Sequence, residues 1–392
     1  MPMSEQETTA FLRETMTSFA ERTGLVGGAA PTRYLWTDAF AVCNFLELER
    51  RTGNGTYEEL AMRLVEQVHG VLGRHRADDP RKGWISGLDE DDGAQHPTKG
   101  GLRIGKPLNE RQPDEPMDES LEWDRDGQYF HYLTRWMHAL SRVGRVTGDP
   151  RYIRWAIELA ESAYERFSYQ PDSGGPRRMY WKMSIDLSRP LVDAMGQHDP
   201  LDGLVTCLEL RAAAKDRREP VPADLTAPIG GLAAMSQGVR LATTDPLGIG
   251  GLLTAAHTLV ALAVAGTTTI QDLPGPLLDE ALPGLQYQAA SRDTLSLPAY
   301  YRLAFRELGL AIGLRAVQRM QDLLTRSPRA FGPHPSLHSR LDLLMRYLPL
   351  IDRIEGFWLK PENRQADSWN EHEDINAVML ATSLAPEGYL DL

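Results

Sequence analysis

The hydrophobic pattern of this chain is helical from end to end, and it comes in pairs. Leu60, Leu64, Val68 and Leu72 recur every four residues, and Ile153, Ile157 and Ala160 do likewise beside Arg154, Glu158 and Glu161. This is the pattern of helices with one wet face. The stretches before them, Ala39–Leu48 and Tyr129–Val143, are apolar around most of their circumference, which predicts helices covered on both sides. Apolar segments follow near 201–213, 250–265, 300–315 and 372–384. They alternate with more amphipathic ones near 224–241, 276–290 and 337–355, and a further helix is expected near 5–22.

An internal repeat sets the register. Phe40 to Tyr57 and Arg135 to Tyr152 each read as a helix, Thr-Gly, a short turn and then Tyr. Gly53 and Gly148 are predicted to take the left-handed conformation that closes a helix. Asp149-Pro150 supplies an N-cap and a first-turn proline, and Thr56 with Glu59 has the residues of a capping box. Covered and one-sided helices alternating around a ring bury each other's apolar faces. The expected fold class is therefore all-α, an (α/α)6 toroid forming a single domain over residues 1–392. An open solenoid is the other architecture this repeat could build. No convincing strand alternation occurs, and the Pro- and Gly-rich stretches 77–121, 168–200 and 265–276 read as connections. The first, at roughly 40 residues, is far longer than a turn requires and is expected to be a binding element.

The Thr-Gly-x-x-x-Tyr hairpins, with covered helices opening at Trp36-Thr-Asp38 and Glu122-Trp-Asp-Arg-Asp126, resemble the six-hairpin glycosidase-like superfamily. That group includes unsaturated glucuronyl hydrolases and N-acylglucosamine 2-epimerases. The resemblance covers nearly the whole chain and is architectural. It implies an active site in the funnel where the inner helices begin. Gly250 to His257 does not carry the Gly-His-x-x-Glu segment of the epimerases, and the hydrolase pattern is met only by Trp36 near Asp38.

Charge narrows the partners. Lys and Arg total 42 against 54 for Asp and Glu, a net charge of -12 that opposes attraction to nucleic acid or anionic membranes. The segment Met1 to Glu21 is polar and acidic, and no uninterrupted apolar run approaches the ~20 residues of a membrane span. These features predict a soluble, cytoplasmic protein whose partner is a small-molecule sugar. Cys43 and Cys207 are the only cysteines. Both lie in apolar helical stretches and are expected to be buried structural thiols.

If the inner helices share one rim, five segments converge there: Arg33–Asp38, Glu122–Tyr132, His198–Asp202, Pro298–Arg306 and Trp369–Asn376. Aromatic faces stack on sugar rings, while carboxylates, amides and cations bind hydroxyls. The candidate substrate-binding residues on the first segments are Arg33, Tyr34, Trp36, Trp123, Tyr129 and Tyr132. Trp84, His96, Trp181, Trp369 and Asn376 are added from the connections and the last segment. Glycoside hydrolysis needs a protonated and an ionised carboxyl flanking the bond, and Asp38, Glu122, Asp124 and Asp374 are the candidates, with His372 as an acid or base. Some acidic residues have a plainer reading: Asp126 as a helix cap, and Ser368 with Glu371 as a capping box. No metal or cofactor pattern is found.

The expected function is thus a carbohydrate-active enzyme, a glycoside hydrolase using a carboxylate pair. A sugar epimerase or isomerase and a non-catalytic binding toroid are the alternatives. Asp89-Glu-Asp-Asp92 also matches the acid motif of class II terpene cyclases, a remote alternative to a solvated loop face.

Overall fold

The computed structural model describes residues 3–216, 224–268, 272–290, 294–327 and 335–392. They form two compact units. One comprises Met1–Phe19, Arg50–Gly53 and Arg240–Leu392, the other Ala20–Glu49 and Asn54–Val239. Helices dominate both, and strands among the described residues are two or three residues long.

The repeat becomes two helical hairpins. Leu35–Thr52 is followed by Thr56–Leu72, and Phe130–Thr147 by Pro150–Phe167. Gly53 and Gly148 both have positive φ, +64° and +74°, and the Gly148 N–H closes on the Gly144 carbonyl. Asp149 accepts from the Arg151 N–H ahead of Pro150. The Thr56–Glu59 capping box does not form. Gly55 is the N-cap of that helix, and the Thr56 N–H is taken instead by the Asn54 side chain. Leu35–Thr52 is buried continuously from Leu35 to Leu48, whereas Thr56–Leu72 buries a single face of Ala61, Leu64, Val65, Val68, His69 and Leu72.

The expected segment near 337–355 is broken. Pro335–Leu344 passes through a tight turn, Met345–Tyr347, into Pro349–Trp358, because Pro349 has no N–H to continue the earlier helix.

In the first unit Pro246–Val264 lies against Ala304–Arg326 at a glycine contact. A Cβ on Gly250 would fall 2.1 Å from the Gly309 carbonyl oxygen, and one on Gly313 2.6 Å from the Gly250 Cα. The two backbones therefore touch with no side chain between them. Pro246–Val264 has 19 residues and is apolar enough to cross a membrane by length and composition, although Thr254, His257 and Thr258 interrupt its apolar run. Most of it is buried within the protein, packed on Ala304–Arg326 and Pro274–Ala290.

In the second unit the long connection after Leu72 is held by ions. Arg81 pairs with Asp79, Glu110 and Asp186. Asp126 receives Arg103, Arg76 and the N–H groups of Gly105 and Gly127. Asp126 therefore ties the loop to the chain entering Phe130–Thr147 and does not cap that helix, whose N-cap is Tyr129. Asp89 caps the short helix Glu90–Gln95, and Asp91 and Asp92 are exposed. A hairpin completes the frame: Lys182–Met183 pairs antiparallel with Gln128–Tyr129 on one side and Pro190–Val192 on the other.

Replacing Gly250 by Ala should cost about 2–4 kcal/mol in urea unfolding, since the new methyl meets backbone that cannot move aside. Gly251→Ala, one position along the same helix with nothing within 4 Å, should be neutral or stabilise by about 0.5–1 kcal/mol.

Candidate active site

In the second unit three helix starts meet around a group of aromatic rings. Trp36 lies in the first turn of Leu35–Thr52, and Tyr129, His131 and Tyr132 surround the start of Phe130–Thr147. Tyr132 packs on Trp36 at 5.2 Å and on Tyr34 at 5.7 Å, and the Tyr34 and Tyr132 hydroxyls are 2.7 Å apart. Strand pairing sets Lys182 opposite Tyr129, which brings Trp181 to 5.0 Å from the Tyr129 ring. His131 is stacked on Tyr129 at 5.3 Å and lies nearly parallel to Trp181 at 6.4 Å. Burial raises the Tyr129 phenol above its ordinary pKa, helped by Tyr34 and Glu122.

The third helix, Asp199–Lys215, brings carboxylates. His131 Nδ1 is 3.5 Å from Asp199 Oδ1, and Arg135 Nη2 is 3.1 Å from Asp202 Oδ2. Arg135 also covers the Trp36 ring at 5.6 Å. Several buried polar atoms here lack a hydrogen-bond partner among the described residues: Trp36 Nε1, His131 Nδ1 and Asp199 Oδ2. Buried polar groups in native proteins are nearly always satisfied, so a cluster of exceptions marks a place built for something other than packing.

The sequence-derived candidates divide clearly. Tyr34, Trp36, Tyr129, Tyr132 and Trp181 come together in this aromatic group, with Trp123 at its edge, 5.5 Å from Trp181. Arg33 is buried and bound to Asp38 and the Thr23 carbonyl. Asp38 engages Arg33 through one oxygen and the Tyr34 N–H through the other. Glu122 likewise has Lys182 on Oε1 at 2.9 Å and Arg111 on Oε2 at 3.2 Å. Asp124 is exposed. Trp84 and His96 lie apart in the connection, Trp84 beneath Arg74 at 4.2 Å and His96 bound to Glu158 at 2.6 Å.

Asp374, His372, Trp369 and Asn376 belong to the other unit, where the 298–306 and 369–376 segments meet. Asn376 is wholly buried, accepting from the Phe305 N–H and donating to the Trp369 carbonyl. His372 is exposed and edges Phe305 at 5.7 Å, so it does not share a buried face with Asn376. The Ser368–Glu371 capping box is absent, because the Ser368 hydroxyl donates to the Ala299 carbonyl. Among the described residues no three metal-ligating side chains gather.

No protein-family model and no curated protein matches this sequence. Solved structures do. The α-1,6-mannanase GH76A of a Salegentibacter species shares 11% identity and a TM-score of 0.54 over 97% of this chain and 99% of that one. The GH76 α-mannanase of Bacteroides thetaiotaomicron gives 8% and 0.56 over 97% and 96%, and a D-mannose isomerase 12% and 0.55 over 97% of each. The fold is the six-hairpin (α/α)6 toroid. At these identities the likeness is one of fold, and the chemistry must be read from this chain's own residues.

Sequence reasoning overlooked a feature of this toroid that runs deeper than the rings. His131, Arg135, His138, Arg142 and Arg145 fall at heptad spacing along one face of Phe130–Thr147. Opposite them stand Asp199, Asp202, Glu209 and Asp216, giving rungs His131–Asp199, Arg135–Asp202, His138–Glu209 and Arg145–Asp216. Side-chain exposure falls over the first three rungs, at 23%, 16% and 11% for His131, Arg135 and His138, and rises again to 20% at Arg145. His138 also hydrogen-bonds Cys43. Against the burial that would lower it, the Glu209 carboxylate and Cys43 hold the His138 imidazole up at about 10. Both cysteines are buried thiols outside any disulfide, and burial pushes the Cys207 thiol up to about 12.

Because the His138 pKa is raised on folding, the stability it adds is complete below its ordinary value of 6.5 and disappears as the pH climbs toward about 10. Glu209→Gln should lower stability by about 3 kcal/mol near neutral pH, since it leaves a buried cation uncompensated. Urea titrations across that interval should show the gap between wild type and variant closing with rising pH.

Proposed function

We propose that this chain is a carbohydrate-active enzyme working at the aromatic group of the second unit, by proton transfer at a sugar carbonyl. The observation that carries the reading is the His131–Asp199 pair. Its imidazole stacks on Tyr129, with Trp181 on the same ring, and His131 Nδ1 and Asp199 Oδ2 are buried atoms without a hydrogen-bond partner among the described residues. An imidazole among these rings can take and return a proton through a ring nitrogen, and the Asp199 carboxylate 3.5 Å from Nδ1 stabilises the imidazolium that forms. Such a base removes the proton from the carbon beside the carbonyl of an open-chain sugar. Returned to the neighbouring carbon, that proton completes an isomerisation; returned to the other face of the same carbon, an epimerisation. The rings supply stacking surfaces, and Arg135, Asp202, Tyr34 and Tyr132 offer donors and acceptors for hydroxyls. A D-mannose isomerase among the fold's solved members is consistent with this chemistry.

Glycoside hydrolysis is the second reading, favoured by the open Asp124 carboxylate beside Trp123 and by mannanases of the same fold. A mannanase variant described as inactive, with two adjacent aspartates replaced, holds α-1,6-mannotriose. Against it, Asp38 and Glu122 engage both oxygens internally, leaving neither free to protonate a leaving group or activate water.

Reducing sugars incubated with the protein in D2O should take up one deuterium next to the carbonyl, seen by NMR, with no change in chain length. His131→Gln should reduce that exchange by about 10²–10⁴-fold, and Asp199→Asn should reduce it less. Release of shorter sugars without deuterium uptake would support hydrolysis instead.

A further inference from the structure

Trp123 is 57% exposed, more than any other tryptophan among the described residues. An indole left in water is ordinarily packed away or carried on a loosely held segment. Here the backbone beneath it is fastened from inside. The wholly buried Lys182 ammonium donates to the carbonyls of Glu122 at 2.7 Å and Arg125 at 2.8 Å, on either side of Trp123, and to the Glu122 carboxylate. Asp118 caps the short helix Glu119–Glu122 just before it, and the Asp124 carbonyl accepts from the Leu108 N–H at 3.0 Å. Burying an ammonium is costly unless it is fully hydrogen-bonded, so this turn is an expensive construction whose visible product is a fixed, open indole.

The indole also belongs to a series. Trp123 meets Trp181 at 5.5 Å, and Trp181 meets Tyr129 at 5.0 Å, the ring on which His131 stacks. Exposure falls along it from Trp123 through the half-buried Trp181 to Tyr129 at 4%. We infer that Trp123 is an outer subsite on which a second sugar ring stacks, so that the substrate is an oligosaccharide and not a free monosaccharide. This rests on the carbohydrate reading of the His131 site and adds the length of its substrate. A pyranose presents an apolar C–H face to an aromatic ring, and the exposed Asp124 adjoining Trp123 accepts from the hydroxyls at that ring's edge.

The test is calorimetric binding of mannose, α-1,6-mannobiose, α-1,6-mannotriose, cellobiose and cellotriose to the full chain, with sedimentation of each protein. Wild type should bind a trisaccharide more tightly than mannose. Trp123→Ala should lose about tenfold of the trisaccharide affinity, the scale of one aromatic contact, and leave mannose binding unchanged. Trp123→Phe should retain most of it. Equal loss for all lengths, or no loss for any, overturns the outer subsite while the carbohydrate reading stands. A fall in oligomer size on Trp123→Ala assigns the indole to a contact between copies and also overturns it. Absence of binding by wild type to every sugar overturns both.

Discussion

The ion-pair ladder between Phe130–Thr147 and Asp199–Lys215 is the constraint on which the second unit depends. Two neighbouring helices, each buried over much of its surface, carry opposite charges along the faces they share. Cations and anions taken out of water singly would be prohibitive; taken out in matched rungs they fix which turn of one helix stands beside which turn of the other. The ladder is open at both ends, at His131–Asp199 and at Arg145–Asp216, and only the His131 end has aromatic rings around it. The deeper His138–Glu209 rung is sealed and contributes register. A single structural device thus places both the support and the candidate acid–base pair.

The same economy governs the acidic residues elsewhere. Asp38, Glu122 and Asp126 lie near helix starts, where carboxylates are favoured by the helix dipole, yet each answers a specific internal cation: Arg33, Lys182 or Arg103. Asp186 is held at about 2, against the burial that would raise it, by the Ser188 and Ser184 side chains, the Ser188 N–H and Arg81. These carboxylates make a long, strand-poor connection rigid. A loop so fastened can hold Trp123 and Trp181 in fixed relation to Tyr129, which a chain of turns alone could not do.

Helix packing in the first unit relies on shape where the second relies on charge. Gly250 and Gly313 bring the backbones of Pro246–Val264 and Ala304–Arg326 together, and Gly309 makes room for the Leu247 side chain, so that close dispersion contacts hold the pair. The toroid fold accommodates both solutions, one reason it is a poor guide to chemistry.

The sequence by itself determined the helical class, the hairpin repeat and its register. Periodicity, Gly53, Gly148 and Asp149-Pro150 act within a few residues of chain and need no distant partner. It also singled out most of the aromatic residues, because large rings at helix starts are conspicuous in any reading. What it did not yield was which ionisable groups are free. Asp38 and Glu122 looked available because Arg33, Lys182 and Arg111 become their partners only through folding, in Lys182's case across 60 residues of chain. His131 and Asp199 were passed over for the converse reason: each alone is an ordinary residue at a helix start. The heptad spacing of His131, Arg135 and His138 was legible, but its meaning lay in a second helix 67 to 71 residues away. Tertiary structure decided the site, since the state of a charged group is set by what stands opposite it.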